Sequence, residues 1–445
     1  MMPEIILPIV HLVDTEGPLN ETLDATFESL YRVFGVRLEP TAENLKMIQR
    51  GENVPPELAP LIVKKFSKHR LSYNRNWDDI GAMCQTLFDS HWRNKFKDSF
   101  GNPYAINWCC VDFLGFQANP RQRQMGPNFS HRFYGQWIEQ SGMIQDRLYW
   151  HYHPIAFSRA AHHSGTNLNH FPYHYTSLCH RILDCHDFPA VFRPGYHMER
   201  VDLNVFLEQW IPFDYANQNV SGRQESTNYG RFQNWDGAPV DWTVYHPSFG
   251  DARKNGSLRR RIARCLNIGT DFSLLTEQEI DLAFTNASKG MPVILSYADH
   301  DERDMISEIE QVASLIKQVA KRYAGVVSYK YCSAVEAMRI CEGLSVTGNL
   351  KFDVKLDGGR ISVKANKELF GPQPFLAIRS KAGEVFHDNF CLGEDDRSFF
   401  YVFDEDSMPL ENVLEIGIAG NDTVGTTAVW VMNLKTNEAT QKYAG

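Results

Sequence analysis

The sequence has no apolar run approaching the ~20 residues that cross a bilayer as a helix. Met1 to Val10 lacks the basic start of a secretory leader and runs straight into a polar string. The expectation is a chain without a membrane span, placed in the cytoplasm. Positive charge is also in short supply. Lys and Arg number 45 against 54 Asp and Glu, a net charge of -9. That argues against a nucleic-acid partner, because phosphate-backbone binders carry a basic patch. The one dense basic cluster, Arg259-Arg260-Arg261 with Arg264 behind it, reads as a solvated helix face. The nine cysteines show no CxxC and no regular spacing. Reduced core thiols are therefore expected, with Cys109 and Cys110 inside a buried strand. Internal repeats and low-complexity tracts are absent.

What is present fits a soluble globular protein. Hydrophobic residues make up 43% and charged residues 22% of 445 positions, a length that predicts two domains. The 12% of aromatic residues suits a sugar-binding cleft and an ordinary core alike.

Apolar runs at Ile5 to Val13, Tyr104 to Phe113, Arg147 to His153, Pro189 to Arg193 and Ile211 to Tyr215 read as strands. So do Val240 to Tyr245, Pro292 to Tyr297 and Val326 to Tyr331. Helical patterns fall between them, which predicts parallel βα units in a barrel or wound sheet. Residues 18 to 100 form a helical insertion, with its longest helix at about Trp77 to Phe96. After Gly343 the pattern changes to short strands between Leu350 and Met432, spaced by turns such as Asp357-Gly358-Gly359. The expected architecture is an α/β barrel over 1–342 and an all-β sandwich over 343–445.

Two strings carry most of the chemistry. Asp14-Thr15-Glu16-Gly17 ends the first strand, and Trp150-His151-Tyr152-His153-Pro154 ends the third. Each sets two ligand-type side chains at i and i+2, on one face of a strand. Two carboxylates and two imidazoles could thus converge at the carboxyl end of a barrel, as a metal-assisted hydrolase requires. Further along lie Phe192-Arg193-Pro194-Gly195-Tyr196, then Trp210-Ile211-Pro212-Phe213-Asp214-Tyr215, then an apolar strand ending in His300-Asp301.

Taken in order, these strings resemble the polysaccharide deacetylase family (the NodB-homology fold, carbohydrate esterase family 4), as a divergent branch with a long insertion. The resemblance implies a distorted (β/α) barrel and a divalent metal, usually zinc, held by Glu16, His151 and His153. It also implies Asp14 as base, His300 as acid, Arg193 orienting Asp14, and Asp214 holding Arg193. Tyr196, or a nearby backbone N–H, would bind the oxyanion, and Trp210 would join the substrate site. The implied activity is removal of an N-acyl group from a sugar or amino sugar, in a setting such as surface-polysaccharide synthesis.

Alternatives stay open on the sequence alone. Asp14 and Glu16 could exchange roles, or cap the following helix. His170 and His174, or His162 and His163, could replace the strand-end pair. His300 could belong to a solvated loop, Asp299 to Asp304. Asp241-Trp242 reads as a packing element of a strand. The fold also suits a hydrolase of another C–N bond, a ureide or cyclic amide, or a carbohydrate-binding protein that has lost its metal. In the sandwich, Phe375, Phe399, Phe400 and Tyr401 suggest a carbohydrate-binding surface. A scaffold packed on the barrel or a homo-oligomer contact is an equal reading.

Overall fold

The computed structural model describes residues 5–71, 73–220, 233–270 and 273–444. Strands β1 (Ile5–Thr15), β2 (Asn107–Val111), β3 (Arg147–Tyr152), β4 (Val191–Pro194) and β5 (Phe213–Asn217) belong to one parallel sheet. It continues through β6 (Arg261–Arg264), β7 (Leu266–Asn267), β8 (Leu295–His300) and β9 (Val327–Tyr331). The order is β6-β5-β4-β3-β2-β1-β8-β7. β6 and β7 are two halves of one bent stretch, the first on β5 and the second on β8. The Ser296 hydroxyl of β8 donates to the Arg264 carbonyl across the bend. The sheet thereby nearly closes into a parallel α/β barrel.

β1 is the hub. It pairs with β8 through Ile9–Asp14, with β2 through Leu12–Thr15 and with β9 through Ile5–Ile9. Ile9 has partners in both β8 and β9, so β9 and β2 follow one another along one edge of β1. Asn107 joins that fork. Its amide donates to the carbonyls of His11 (3.0 Å) and Cys332 (3.2 Å), and it accepts from the Ala334 N–H (2.9 Å). The near-continuous apolar sequence of β1 suits a strand covered on both faces. Val10 and Leu12 face an interior cluster with Cys109, Tyr149, Val191, Phe213, Tyr215, Ala263, Cys265 and Ala298. Leu7, Ile9 and Val13 face outward, against helix residues such as Ile280, Phe284, Ile309 and Ile316.

The insertion after β1 folds as short helices with a small core of Phe27, Leu30, Ile48, Ile62 and Phe66. The single helix expected over Trp77 to Phe96 is broken into Trp77–Leu87 and Ser90–Arg93. Asp89 interrupts it by accepting from the His91 N–H (2.9 Å) and capping a new turn. Val240 to Tyr245 is no strand. It makes isolated bridges at Thr243 and Tyr245, and Trp242 has a positive φ of 68°. Trp242 is buried under the Arg264 guanidinium, 4.4 Å from its ring centroid.

The arginine cluster corrects a third expectation. Arg260 and Arg264 are fully buried, and Arg261 to Arg264 is barrel strand, not solvated helix face. Each buried guanidinium has an acid: Arg264 binds Glu279 (2.6 and 2.8 Å), and Arg260 binds Glu199 (2.5 Å) and Asp214. Charge is tolerated inside because it is paired there.

The C-terminal region holds two antiparallel sheets. One comprises β10 (Phe352–Asp357), β11 (Arg360–Ala365), β14 (Cys391–Leu392) and β15 (Ser398–Val402). The other comprises β12 (Phe375–Ser380), β13 (Val385–Asp388), β16 (Val413–Asn421), β17 (Thr427–Asn433) and β18 (Glu438–Ala444). Phe399 and Tyr401 belong to the core between them, and Phe375 to the contact with the barrel. These three are therefore no carbohydrate platform. Phe375, Ala377, Ala419, Val429 and Val431 pack on Trp150, Ile182, Phe206 and Trp210. Trp210, expected in the substrate site, lies in this contact with its ring 5.1 Å from that of Phe375. Its helix faces the sandwich rather than the barrel mouth. All nine cysteines are unpaired; six are buried, and Cys391 is exposed. Among the described residues, no helix is long and apolar enough to cross a membrane.

One buried ion pair joins the insertion to the barrel. Arg93 binds Asp146 through two contacts (2.8 and 3.1 Å), and neither side chain is exposed. Asp146 also accepts from the Ile106 N–H (3.0 Å) and the Trp108 indole (3.1 Å). Asp146→Ala strands the guanidinium, so a stability loss of about 3–5 kcal/mol is expected in urea unfolding.

Candidate metal centre

The period of two along each strand assembles the site. Asp14 comes two residues after Leu12, His151 two after Tyr149, Arg193 two after Val191 and His300 two after Ala298. All four predecessors face the barrel interior, so these polar side chains share that face one layer higher. Pairing levels them: Asp14 lies opposite His300, and His151 opposite Arg193. A polar layer therefore crowns an apolar barrel at the carboxyl ends of its strands, the end where such barrels do chemistry. Asp14, His151 and Arg193 are buried, while His300 keeps 22% of its side chain exposed. The site opens to solvent on the His300 side.

Glu16, His151 and His153 converge above this layer. The two imidazole Nε2 atoms are 2.9 Å apart. Glu16 Oε1 lies 3.1 Å from His153 Nε2 and 3.8 Å from His151 Nε2. A point equidistant from three atoms so separated lies about 1.9 Å from each. Zinc–nitrogen and zinc–oxygen bonds are about 2.0–2.2 Å. The donor set of two imidazoles and one carboxylate fits a zinc-type cation. His151 Nδ1 donates to the Arg193 carbonyl (3.0 Å), which fixes the tautomer and leaves Nε2 as the ligand atom. Gly195 is needed for His153, because a Cβ there would overlap the imidazole ring.

The surrounding charges are matched. Arg193 Nε donates to Asp14 Oδ1 (3.1 Å), and its Nη1 donates to the Tyr215 carbonyl (2.6 Å). Burial alone would raise the Asp14 carboxyl, but Arg193 and the nearby histidines hold it down at about 2. Burial is likewise outweighed at Glu16, where His153, His151 and Arg123 keep the carboxyl well below its ordinary range. Burial works to depress His151, yet Asp14 and Glu16 carry it above its usual value. His153 is depressed by burial. His300, 4.0 Å from Asp14 Oδ2, is lowered by burial and by Arg303.

The structure thus separates the two acids: Glu16 faces the imidazole Nε2 atoms, and Asp14 lies on the Nδ1 side of His151, 3.7 Å away. Tyr196 sets its ring edge-on to His153, centroids 5.1 Å apart. Asp214 is not Arg193's partner. Phe213 and Tyr215 face the barrel interior, so Asp214 between them faces outward, onto Arg260. Burial and neighbouring Glu199 push its carboxyl well up. His174 is buried among Phe206, Tyr152 and Tyr175, and burial lowers it to about 3. His170 packs its ring against Phe157, tilted, with centroids 4.4 Å apart. Neither joins the site. His162 and His163 meet Glu28 instead.

The sequence reading missed Arg123. It donates to Glu16 Oε2 (3.2 Å) and Glu302 (2.5 Å), and to the carbonyls of Glu16 (2.9 Å) and Pro18 (3.2 Å). The string Asp299 to Asp304 is also no solvated loop: Asp299 and Asp301 are fully buried. Asp301 accepts from the Gly17 N–H (3.0 Å) and the Tyr134 hydroxyl (2.8 Å), and burial raises it to about 7.

No protein-family model, curated protein or solved structure matches this chain.

His151→Ala, His153→Ala and Glu16→Gln should each abolish one equivalent of bound zinc, and His174→Ala should leave it in place, by metal analysis after dialysis. Protons compete for His151, whose affinity for them Asp14 and Glu16 have raised. Zinc binding should therefore weaken as the pH falls. Asp14→Asn should move that weakening to lower pH, because it removes part of what raises His151.

Proposed function

We propose that this chain is a metal-dependent hydrolase that removes an N-acyl group from a sugar, on a barrel of the NodB-homology type. The observation that carries the reading is the convergence of Glu16, His151 and His153 on one point beside the facing pair Asp14 and His300. An isolated strand-end histidine is commonplace. Two imidazoles and a carboxylate at bonding separation, with an ionised acid and a neutral imidazole alongside, make up the working parts of amide hydrolysis.

Glu16, His151 and His153 would hold the ion. A divalent cation there supplies polarisation of the acyl carbonyl and acidifies water. The rest of the chemistry falls to this chain's side chains. Arg193 fixes the Asp14 carboxylate through Nε and keeps it ionised throughout the neutral range. Asp14 accepts a proton from the attacking water as its oxygen bonds to the acyl carbon. His300, across 4.0 Å, takes that proton from Asp14 as an imidazolium and gives it to the departing nitrogen as the C–N bond breaks. Asp14 stabilises the imidazolium form of His300 while it carries that proton. The products are a free amine on the sugar and a carboxylic acid. Tyr196, beside His153, is the donor assigned to the tetrahedral oxygen. The nine unpaired cysteines accord with work in a reducing compartment.

The zinc-loaded protein should release acetate from an N-acetylated amino sugar, measured by enzymatic acetate assay. Asp14→Asn should cut the turnover by about 10²–10⁴-fold with zinc retained. Ammonia or a ring-opened product from a ureide or cyclic amide, without acetate from any amino sugar, would move the reading to another C–N bond. Sugar binding by protein that takes up no metal would make it a binding protein.

A further inference from the structure

A second group of ligand-type side chains stands apart from the first and shares no residue with it. Glu28 lies on the helix Leu23–Phe34 of the insertion, and His162 and His163 lie in the loop after β3. Glu28 Oε2 is 3.0 Å from His162 Nε2, and Glu28 Oε1 is 3.0 Å from His163 Nε2. The imidazole centroids are 4.0 Å apart.

A carboxylate receiving two imidazole N–H groups would explain these contacts, but Arg32 rules that out for His163. Arg32 Nη2 lies 3.0 Å from His163 Nε2 and also pairs with Glu28 Oε1. A guanidinium only donates, so His163 Nε2 must present its lone pair to Arg32. Its proton is then on Nδ1, where the Ser158 hydroxyl oxygen accepts it at 2.7 Å. An imidazole lone pair and a carboxylate oxygen thus face each other at 3.0 Å, with a cation from Arg32 against both. His162 Nε2–H donates to Glu28 Oε2, and its Nδ1 is buried with no hydrogen-bond partner, so Nδ1 is free to carry the proton when a metal takes Nε2.

We propose that Glu28, His162 and His163 form a second site for a divalent transition cation, with Arg32 as the resident cation that the metal displaces. Two imidazoles and one carboxylate select zinc, cobalt or nickel over calcium or magnesium, which prefer all-oxygen sets. The Ser158 hydroxyl supplies the outer hydrogen bond that orients a ligating imidazole. Arg32 is 36% exposed, so it can swing into water when a metal enters. The bound ion would tie the first helix of the insertion to the loop that follows β3. Those segments continue from β1 and β3, the two strands that deliver Asp14 and His151.

The test uses the full-length protein stripped with chelator, then zinc uptake by equilibrium dialysis and metal analysis. Wild type should take two equivalents. The double variant His162→Ala/His163→Ala and the single variant Glu28→Gln should each take one fewer, with unchanged circular dichroism. His151→Ala should also lose one, and combining it with the double variant should lose both. Arg32→Ala should keep the second equivalent and bind it about tenfold tighter, the size of one charged hydrogen bond released. Equal uptake by wild type and the double variant overturns the proposal, and so does an unchanged affinity in Arg32→Ala. If the Glu16 site is the one that fails, wild type will take a single equivalent that the double variant removes and His151→Ala does not.

Discussion

Charge buried in a low-dielectric interior has to be matched where it stands, and the top of this barrel obeys that constraint through Arg193. Its guanidinium holds Asp14 through Nε and the Tyr215 carbonyl through Nη1, while its own carbonyl orients His151. One residue of β4 therefore sets the charge of an acid on β1 and the tautomer of an imidazole on β3. Arg123 does the same on the outer side, spanning Glu16 and Glu302. Without these two cations, Asp14 and Glu16 would have only the imidazoles to balance their buried charge. The ligand geometry is thus a product of charge matching as much as of strand register.

Much of this was legible in the sequence because it rests on local periodicity. The strands that carry Asp14, His151, Arg193 and His300 are apolar runs bounded by turn residues, and the i, i+2 spacing of each ligand pair is a backbone property. Arg123 was not legible, since its partners lie 107 and 179 residues away and no pattern joins them. β6 was lost because three consecutive arginines outweigh its apolar content. Only the folded partners Glu199, Asp214 and Glu279 make such a strand tolerable inside. β18, with the exposed sequence Glu-Ala-Thr-Gln-Lys-Tyr-Ala, carries no hydrophobic alternation to find. Asp214 departs from the family pattern for a local reason: its neighbours Phe213 and Tyr215 point into the barrel, so the strand period puts Asp214 on the outward phase, against Arg260.

The sandwich and the barrel share a core rather than a linker. Trp150 is at once the residue before His151 on β3 and a member of the cluster holding Phe375 and Val429. Asp184 accepts from Arg379 of the sandwich and also from His180. Packing of the C-terminal region thus bears on the outer face of the strand whose inner face carries the imidazoles. An accessory region so placed can set the rigidity of the site without contributing an atom to it.

The fork at β1 has a consequence for how the chain comes together. The earliest of the described strands draws its partners from residues 107–110, 295–300 and 327–331. Its two edges therefore cannot both be filled until nearly the whole barrel sequence exists. Contacts this distant close slowly, since the loop entropy is lost before the pairing returns it. An apolar strand with an open edge is meanwhile a template for other chains. The residue that sutures the fork, Asn107, is then as much a device for finishing assembly as for holding the finished barrel. A chain truncated before β9 would leave the lower half of β1 permanently unpaired.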